Sequence, residues 1–415
     1  MKLMSTISWS SLAAAVRLLT GFVSIKFVAI LIGPFGVALL GQFNNLNSII
    51  MTIALGGISA GIVKYTSEFK DNQVELNKIW GTTICLSSIT TIPVVVFILI
   101  FHQWLAIKFF HDVQYGDVFV IFACCLVFFV ANSLLLNVLN GLHEVKKYNL
   151  LNTLNSVLGL FITISLVYYY KMYGALLALI VSQSITFCII VLFVVKSKWF
   201  NFAAFFGKFD KYYFKKLMGF TLMSVTSMCV IPTSQMFIRT YLASHTSWEI
   251  AGCWQGMQRI SDAYLMIVYM GLGTYYLPKL SNLRDVQQIR REISHGYKVV
   301  LPGVIAVAII LFFCKNVIIN LLFAKTFMSM SGMFFWQLLG DCFKIATYFV
   351  SYLVLAKAKI KIYIVTEVIF GASYALLSYM FINLFGANGP VMAFALNYFV
   401  YCMLFVFLYK KGYLI

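Results

Sequence analysis

The chain has 415 residues, of which 62% are hydrophobic and only 11% charged, and its mean hydropathy is +0.91. Lys and Arg number 31 against 13 Asp and Glu, a formal charge of +18. Soluble domains average about 45–50% apolar and about 25% charged residues, so this composition excludes a soluble enzyme, a secreted domain and a nucleic-acid-binding domain. The basic excess reads as membrane-flanking loops, not as a nucleic-acid surface.

Crossing a bilayer takes about 20 mostly apolar residues. Taken in order, runs of that kind are predicted at 8–32, 40–63, 79–101, 115–141, 150–170 and 174–195, then at 213–240, 250–277, 295–314, 329–356, 362–384 and 389–409. The first follows Lys2, and Ala13, Ala14 and Ala15 suggest a signal cleavage site. The run continues to Ile32 with Arg17 and Lys26 inside it, so a retained first span is expected. The segments are too long and too evenly apolar for barrel strands. The expected fold is therefore an all-α integral membrane protein with 12 transmembrane helices in two six-helix lobes and both termini cytoplasmic. Sidedness comes from the basic residues. On the side taken as cytoplasmic fall 22 basic residues, among them Lys64, Lys70, Lys78, Lys146, Lys147, Lys196, Lys357 and Lys359, against four, Lys108, Lys171, Lys315 and Lys325, on the other.

The connection 196–212 separates the expected lobes, 1–200 and 201–415. Two echoes at nearly constant offset suggest a repeat: VALLGQ at 37–42 with IAGCWQ at 250–255, and Gly174-Ala175 with Gly389-Pro390. Parallel repeats of this kind place a cavity between halves. Pro93, Pro232, Pro278 and Pro302, with the Gly56-Gly57 pair, read either as hinges or as locally satisfied kinks.

Charges inside apolar runs are costly and face a cavity, a partner or an interface. Arg17 and Lys26 lie on opposite faces of the first span. Arg259 with Asp262, and Asp341 with Lys344, are spaced to share one helix face. These pairs read either as site residues or as mutually neutralised structural contacts. Arg239 and Glu367 read either as site residues or as side chains snorkelling to an interface. The surplus of buried base suits an anion, and pyrophosphate would be held by Arg forks and Lys point charges. Asn44, Gln255 and Gln258, with Trp254, Tyr264, Trp336, Gln337 and Tyr348, suit a sugar, or else glue helices together. On this reading Arg17, Lys26, Asn44, Gln255, Arg259 and Lys344 bind substrate, while Asp262, Asp341 and Glu367 serve coupling or structure. The nine cysteines form no CxxC and read as small hydrophobes. Nucleotide-binding, hydrolase and metalloprotease motifs are absent, so no enzyme activity, metal or cofactor is expected.

Three stretches carry a resemblance: GPFG at 33–36, WEIAGCWQGMQRISDAYLMIVYMGLGTYYLP at 248–278 and FWQLLGDCFKIATYFVSYLVLAK at 335–357. They resemble the Wzx-type polysaccharide flippases of bacterial inner membranes, within the multidrug, oligosaccharidyl-lipid and polysaccharide exporter superfamily. The resemblance extends over nearly the whole chain. It implies two lobes alternating between inward-open and outward-open states. It implies an undecaprenyl-pyrophosphate-linked oligosaccharide as substrate, either an O-antigen unit or lipid III of the enterobacterial common antigen, carried from the cytoplasmic to the periplasmic leaflet. A periplasmic polysaccharide polymerase with its chain-length machinery would follow as partner, and a proton or sodium gradient could drive the cycle. Arg17 and Lys26 match basic positions of the family's first helix. Asp262 and Asp341 fall in its recognisable stretches, Lys344 matches, and Arg259 departs. The alternatives are a multidrug or small-cation exporter of the same superfamily, and a scaffold for glycan-assembly enzymes.

Overall fold

The computed structural model describes residues 3–197, 209–276, 279–280, 283, 285–357 and 359–411. Lys2, Pro278 and most of the 196–212 connection lie outside the described residues. Helices follow one another as α1 (Leu3–Leu31), α2 (Gly33–Ala54), α3 (Ser59–Glu68), α4 (Gln73–Phe110), α5 (Gly116–Gly141) and α6 (Val145–Val195), then α7 (Lys211–His245), α8 (Trp248–Gly271), α9 (Val286–Phe313), α10 (Lys315–Leu322), α11 (Phe334–Ala356), α12 (Ile360–Phe385) and α13 (Gly389–Lys410).

Their starts obey local chemistry. The first N–H groups of a helix lack intrahelical partners, and a short polar side chain at the cap accepts from them. Asn72 accepts from Glu75 N, Ser247 from Ile250 N, and Asp285 from Gln287 N and Gln288 N. Between α2 and α3 the axis bends by 50°. Gly56 and Gly57 stand there at φ +67° and +66°, a region that favours glycine. The bend leaves carbonyls without helical partners. Thr90 and Thr91 donate to Ala54 O at 2.7 and 2.9 Å, and Thr221 donates to Gly56 O at 2.7 Å.

The expectation of 12 spans in two six-helix lobes is overturned. Among the described residues, eight helical stretches are long and apolar enough to cross a membrane, or nine if the bent α2–α3 pair is one span. The causes are physical. The hydropathy minimum near Lys171 divides the sequence, yet helix continues on both sides of it as the 51-residue α6, broken only by Lys171 at φ 48°, ψ −124°. Likewise Ile360–Tyr409 forms one apolar stretch through the short Gly386–Asn388 turn. The expected span 250–277 is instead α8, which ends at Gly271 in a π-turn over Leu272–Tyr276. With Glu249, Gln255, Gln258, Arg259 and Asp262, α8 is not among the stretches apolar enough to cross. The assignment of both termini to the cytoplasm rested on the 12-span count and falls with it.

The chain divides into two compact units: Met1–Ile32 with Gln42–Cys229, and Gly33–Gly41 with Val230–Ile415. In the first, Ile58, Ile62, Leu76, Ile79, Trp80 and Leu217 form a buried cluster. Glu75 joins it to α7 by accepting from the Tyr213 hydroxyl, and pairs with Lys78 at 2.8 Å. In the second unit the core gathers Leu265, Ile289, Ile345, Phe349, Leu353 and Phe405. Small and polar residues hold its helices together. Ser234 donates to Gly371 O at 2.9 Å, and Asn397 donates to Phe370 O at 3.1 Å. Lys279 pairs with Glu292 at 2.6 Å, and that hydrogen bond raises the lysine above its usual range. Many large apolar side chains face outward, among them Phe313 at 80% and Leu384 at 69% exposure, which suits hydrocarbon surroundings.

Candidate functional site

In the second unit, α8 and α11 enclose an ionisable group. Asp341 has no exposed surface. Burying a carboxylate is very unfavourable unless donors replace its water. Two turns of helix supply them. Ser261 Oγ lies 2.7 Å from both Asp341 oxygens, Tyr264 OH donates to Oδ2 at 2.8 Å, and Gln337 Nε2 donates to Oδ1 at 3.2 Å. Ser261 and Tyr264 are three apart on α8, and Gln337 and Asp341 are four apart on α11, so each helix presents its pair on one face. Gln337 Nε2 also reaches Ser261 Oγ at 3.4 Å, closing the network.

No basic nitrogen among the described residues lies within 4.0 Å of Asp341. Lys344, three residues on, instead directs its ammonium at aromatic rings. Nζ stands 5.5 Å from the Tyr269 centroid and 5.9 Å from those of Phe394 and Tyr398. Ring faces carry negative potential, so they attract the cation without an ion pair. The spacing that put Asp341 and Lys344 on one face thus produces two separate solutions, one for a buried carboxylate and one for a half-buried ammonium. Among the described residues Arg259 and Asp262 form no ion pair either, and both are exposed.

A fully buried cation is Arg239, with no exposed surface. It donates through Nη2 to Gln255 Oε1, and its guanidinium carbon lies 5.6 Å from the Trp254 ring. Gln255 is fixed from the other side by α2. A Cβ at Gly41 would stand 2.5 Å from Gln255 Oε1, and a Cβ at Gly252 would strike the Pro34 carbonyl. The two glycines let α2's first turns lie directly on α8, the close approach that small residues permit between membrane helices. Phe35 meets Trp248 edge-on at the same contact, with centroids 6.2 Å apart.

The other sequence-derived candidates are placed as follows. Glu367 is half-buried on α12. Arg17, Lys26 and Asn44 belong to the first unit and are half-buried; Arg17 Nε donates to Ala13 O at 3.4 Å. Within the second unit the structure brings Asp341 to Ser261, Tyr264 and Gln337, and brings Gln255 to Arg239. Sequence reasoning singled out Tyr264 and Gln337 as possible sugar contacts and overlooked Ser261, Tyr269 and Tyr398. Ser261 had a signal, its three-residue spacing from both Gln258 and Tyr264. Tyr398 had none, because only packing of α13 on α11 brings it to Lys344.

Chemically, an ionised Asp341 accepts from all three donors. A protonated one must donate one hydrogen bond, and Ser261 Oγ, with two lone pairs, can accept it. The network therefore has two proton arrangements with one heavy-atom geometry. The adjoining tyrosines give Lys344 or a ligand a rigid, amphipathic surface.

Comparison with known proteins gives these likenesses. Residues 3–284 match the family model described as polysaccharide biosynthesis protein. The lipid III flippase of Escherichia coli (strain K12) is 29% identical over 400 residues, covering 95% of this chain and 94% of that protein. An inward-facing multidrug resistance MATE family transporter of the MOP superfamily superposes with a TM-score of 0.84 at 13% identity, over 96% of this chain and 98% of that one. A MOP superfamily transporter from Pyrococcus furiosus, whose binding pocket is described as reversed in polarity, superposes with a TM-score of 0.74 at 15% identity, over 98% of this chain and 95% of that one. The last two likenesses are of fold.

Proposed function

The chain belongs to the polysaccharide biosynthesis protein family, and from that premise we propose that it moves a lipid-linked oligosaccharide across the bacterial inner membrane by alternating access. It is a membrane transporter of the MOP superfamily and not an enzyme, since its matches are flippases and MATE transporters. The observation that carries the proposed cargo is the likeness to a lipid III flippase over 95% of the chain. Basic side chains support it: in the second unit Arg239 is fully buried and Lys344 half-buried, and in the first Arg17 and Lys26 are half-buried on α1, each a positive charge that could offset the dehydration of a pyrophosphate. Asp341 is the proposed coupling group. A gradient drives a cycle only if its ion binds the two states unequally; Asp341 would meet that condition if alternation moves α8 against α11 and so changes the donors around its carboxyl. A lipid III or O-antigen unit would be handed to a periplasmic polymerase.

A second reading, a multidrug or small-cation exporter of the same superfamily, shares the fold. The solved structures that match across the chain include a multidrug resistance transporter, and the rings of Tyr269, Phe394 and Tyr398 would suit an organic cation in place of the Lys344 ammonium. Proteoliposomes separate the two. Undecaprenyl-pyrophosphate oligosaccharide is placed in one leaflet, and access of its sugar to an impermeant glycosidase is followed. Protein-dependent access supports the glycolipid. No access, together with gradient-driven efflux of a fluorescent organic cation, supports the drug exporter.

A further inference from the structure

The first unit contains a groove of about 650 Å³ that the transport reading does not use. One wall is α4 from Trp80 to Ile92, and the other is the end of α6 from Phe187 to Val195. Between them α5, which packs on both, lines the groove with Val127, Val130, Leu134 and Val138. All three helices lie in stretches fit to cross a membrane. Ser88, Ile92, Val127 and Val195 line the groove and are exposed, so it opens sideways from the helices.

Its two ends differ. At the Trp80 end, the start of α4 and the ends of α5 and α6 come together, and Lys147 donates to Ser197 Oγ at 3.3 Å. Four lysines stand there. Lys78 and Lys147 have acidic partners, Glu75 at 2.8 Å and Glu144 at 3.6 Å. Lys146 and Lys196 are exposed, with no carboxylate within 4.0 Å among the described residues. Beyond Ile92, at the other end, α4 runs on without a charged residue as far as Lys108. One wall also holds an unsatisfied group. Thr83 is buried and its hydroxyl has no hydrogen-bond partner among the described residues, whereas Ser87 and Thr91 donate to Ile84 O and Ala54 O.

We propose that this groove seats one acyl chain of an anionic phospholipid from the surrounding bilayer, with the phosphate at Lys146 and Lys196 and the chain running from Trp80 towards Ile92. Length selects this occupant. Twelve helical steps from Trp80 to Ile92 amount to about 18 Å, and half of a hydrocarbon core about 30 Å thick is about 15 Å. One acyl chain in one leaflet fits; an undecaprenyl chain is far longer and overruns the groove. Exposed lysines recognise phosphate as point charges. An ester carbonyl close to the headgroup gives the Thr83 hydroxyl an acceptor after rotation of its side chain. The site stands whichever cargo the protein carries.

The test uses the full-length protein in phosphatidylcholine nanodiscs containing phosphatidylglycerol with a photoactivatable group on one acyl chain. Adducts are mapped by mass spectrometry. Labelling is expected to concentrate in 80–92 and 127–138, above that of the exposed apolar stretch 309–313. Filling the groove by Val127→Trp, at a half-exposed position that a folded protein accommodates, or by Ala131→Trp should abolish the excess. Lys146→Gln with Lys196→Gln should lower it roughly tenfold to thirtyfold, and the same label on phosphatidylcholine should show no concentration. Adducts spread evenly over exposed apolar surface, or undiminished in the folded Val127→Trp protein, would overturn the site. Displacement of the label by an equal concentration of undecaprenyl phosphate would overturn the bilayer lipid as its occupant.

Discussion

Ser261 Oγ stands 2.7 Å from both carboxylate oxygens of Asp341. One hydroxyl proton serves one oxygen at a time, so Ser261 sits where it can exchange donor for acceptor as the carboxyl gains or loses a proton. Ser261→Ala should leave fold and cargo binding intact, weaken the unit by about 1 kcal/mol, and shift the pH dependence of transport. A transport pH profile superimposable on that of the parent would remove Ser261 from the coupling network.

Asp341→Asn should act more severely. Its amide nitrogen is a donor placed among donors, which leaves a buried polar group unsatisfied at a cost of about 1–3 kcal/mol. Gradient-driven transport should be lost while exchange between equilibrated leaflets persists. Thermal unfolding in detergent reports the first effect and paired proteoliposome assays the second. Loss of both modes in equal degree would mark Asp341 as structural only.

Lys344→Met keeps the stem packed against Tyr269, Phe394 and Tyr398 and removes the charge. A surface cation–π contact contributes about 0.5–1 kcal/mol and a desolvated one about 2 kcal/mol or more, so folding should survive. Transport of a pyrophosphate-linked glycan should fall by an order of magnitude or more, since one opposing charge-assisted contact is worth about 1.5–3 kcal/mol. Export of an organic cation should instead rise or hold. Initial rates with the two cargoes, measured in the same preparation, decide between the readings.

Arg17→Ala addresses the first unit. On the glycolipid reading it lowers translocation strongly at unchanged protein level, and Arg17→Lys restores only part because the fork of donors is missing. Unchanged glycosidase access at equal protein level would free Arg17 from any role in cargo binding.

A purely structural pair tests the packing. Gly252→Ala drives a methyl into the Pro34 carbonyl, whereas a methyl at Gly219 on α7 meets nothing within 4 Å. Overpacking costs about 1–3 kcal/mol, while Gly→Ala in an open helical site is favourable by about 0.5–1 kcal/mol. Gly252→Ala should therefore lower the melting temperature and Gly219→Ala raise it slightly. Equal melting temperatures would mean that α2 does not lie on α8 in solution.

By itself the sequence determined that this is an all-helical membrane protein, because composition decides which solvent a chain can tolerate and long apolar runs leave no structure but helix; transport came only from the family resemblance of three stretches. It also pointed to Asp341 and Lys344, because a charge within such a run is rare enough to stand out. It did not determine how many stretches cross. Hydropathy dips at Lys171 and beside Gly386, and a dip does not distinguish a loop from a break inside a continuing helical stretch. Nor did it decide partners. Spacing of three suggested that Asp341 would neutralise Lys344; the tertiary structure sends the carboxylate to Ser261 and Tyr264 on α8 and the ammonium to rings of α8 and α13. Arg239, read from sequence as near an interface, is fully buried against Gln255. Local spacing fixes which face of its own helix a side chain occupies. Which helix meets that face is settled by close approaches such as Gly252 on Pro34, between residues more than two hundred positions apart.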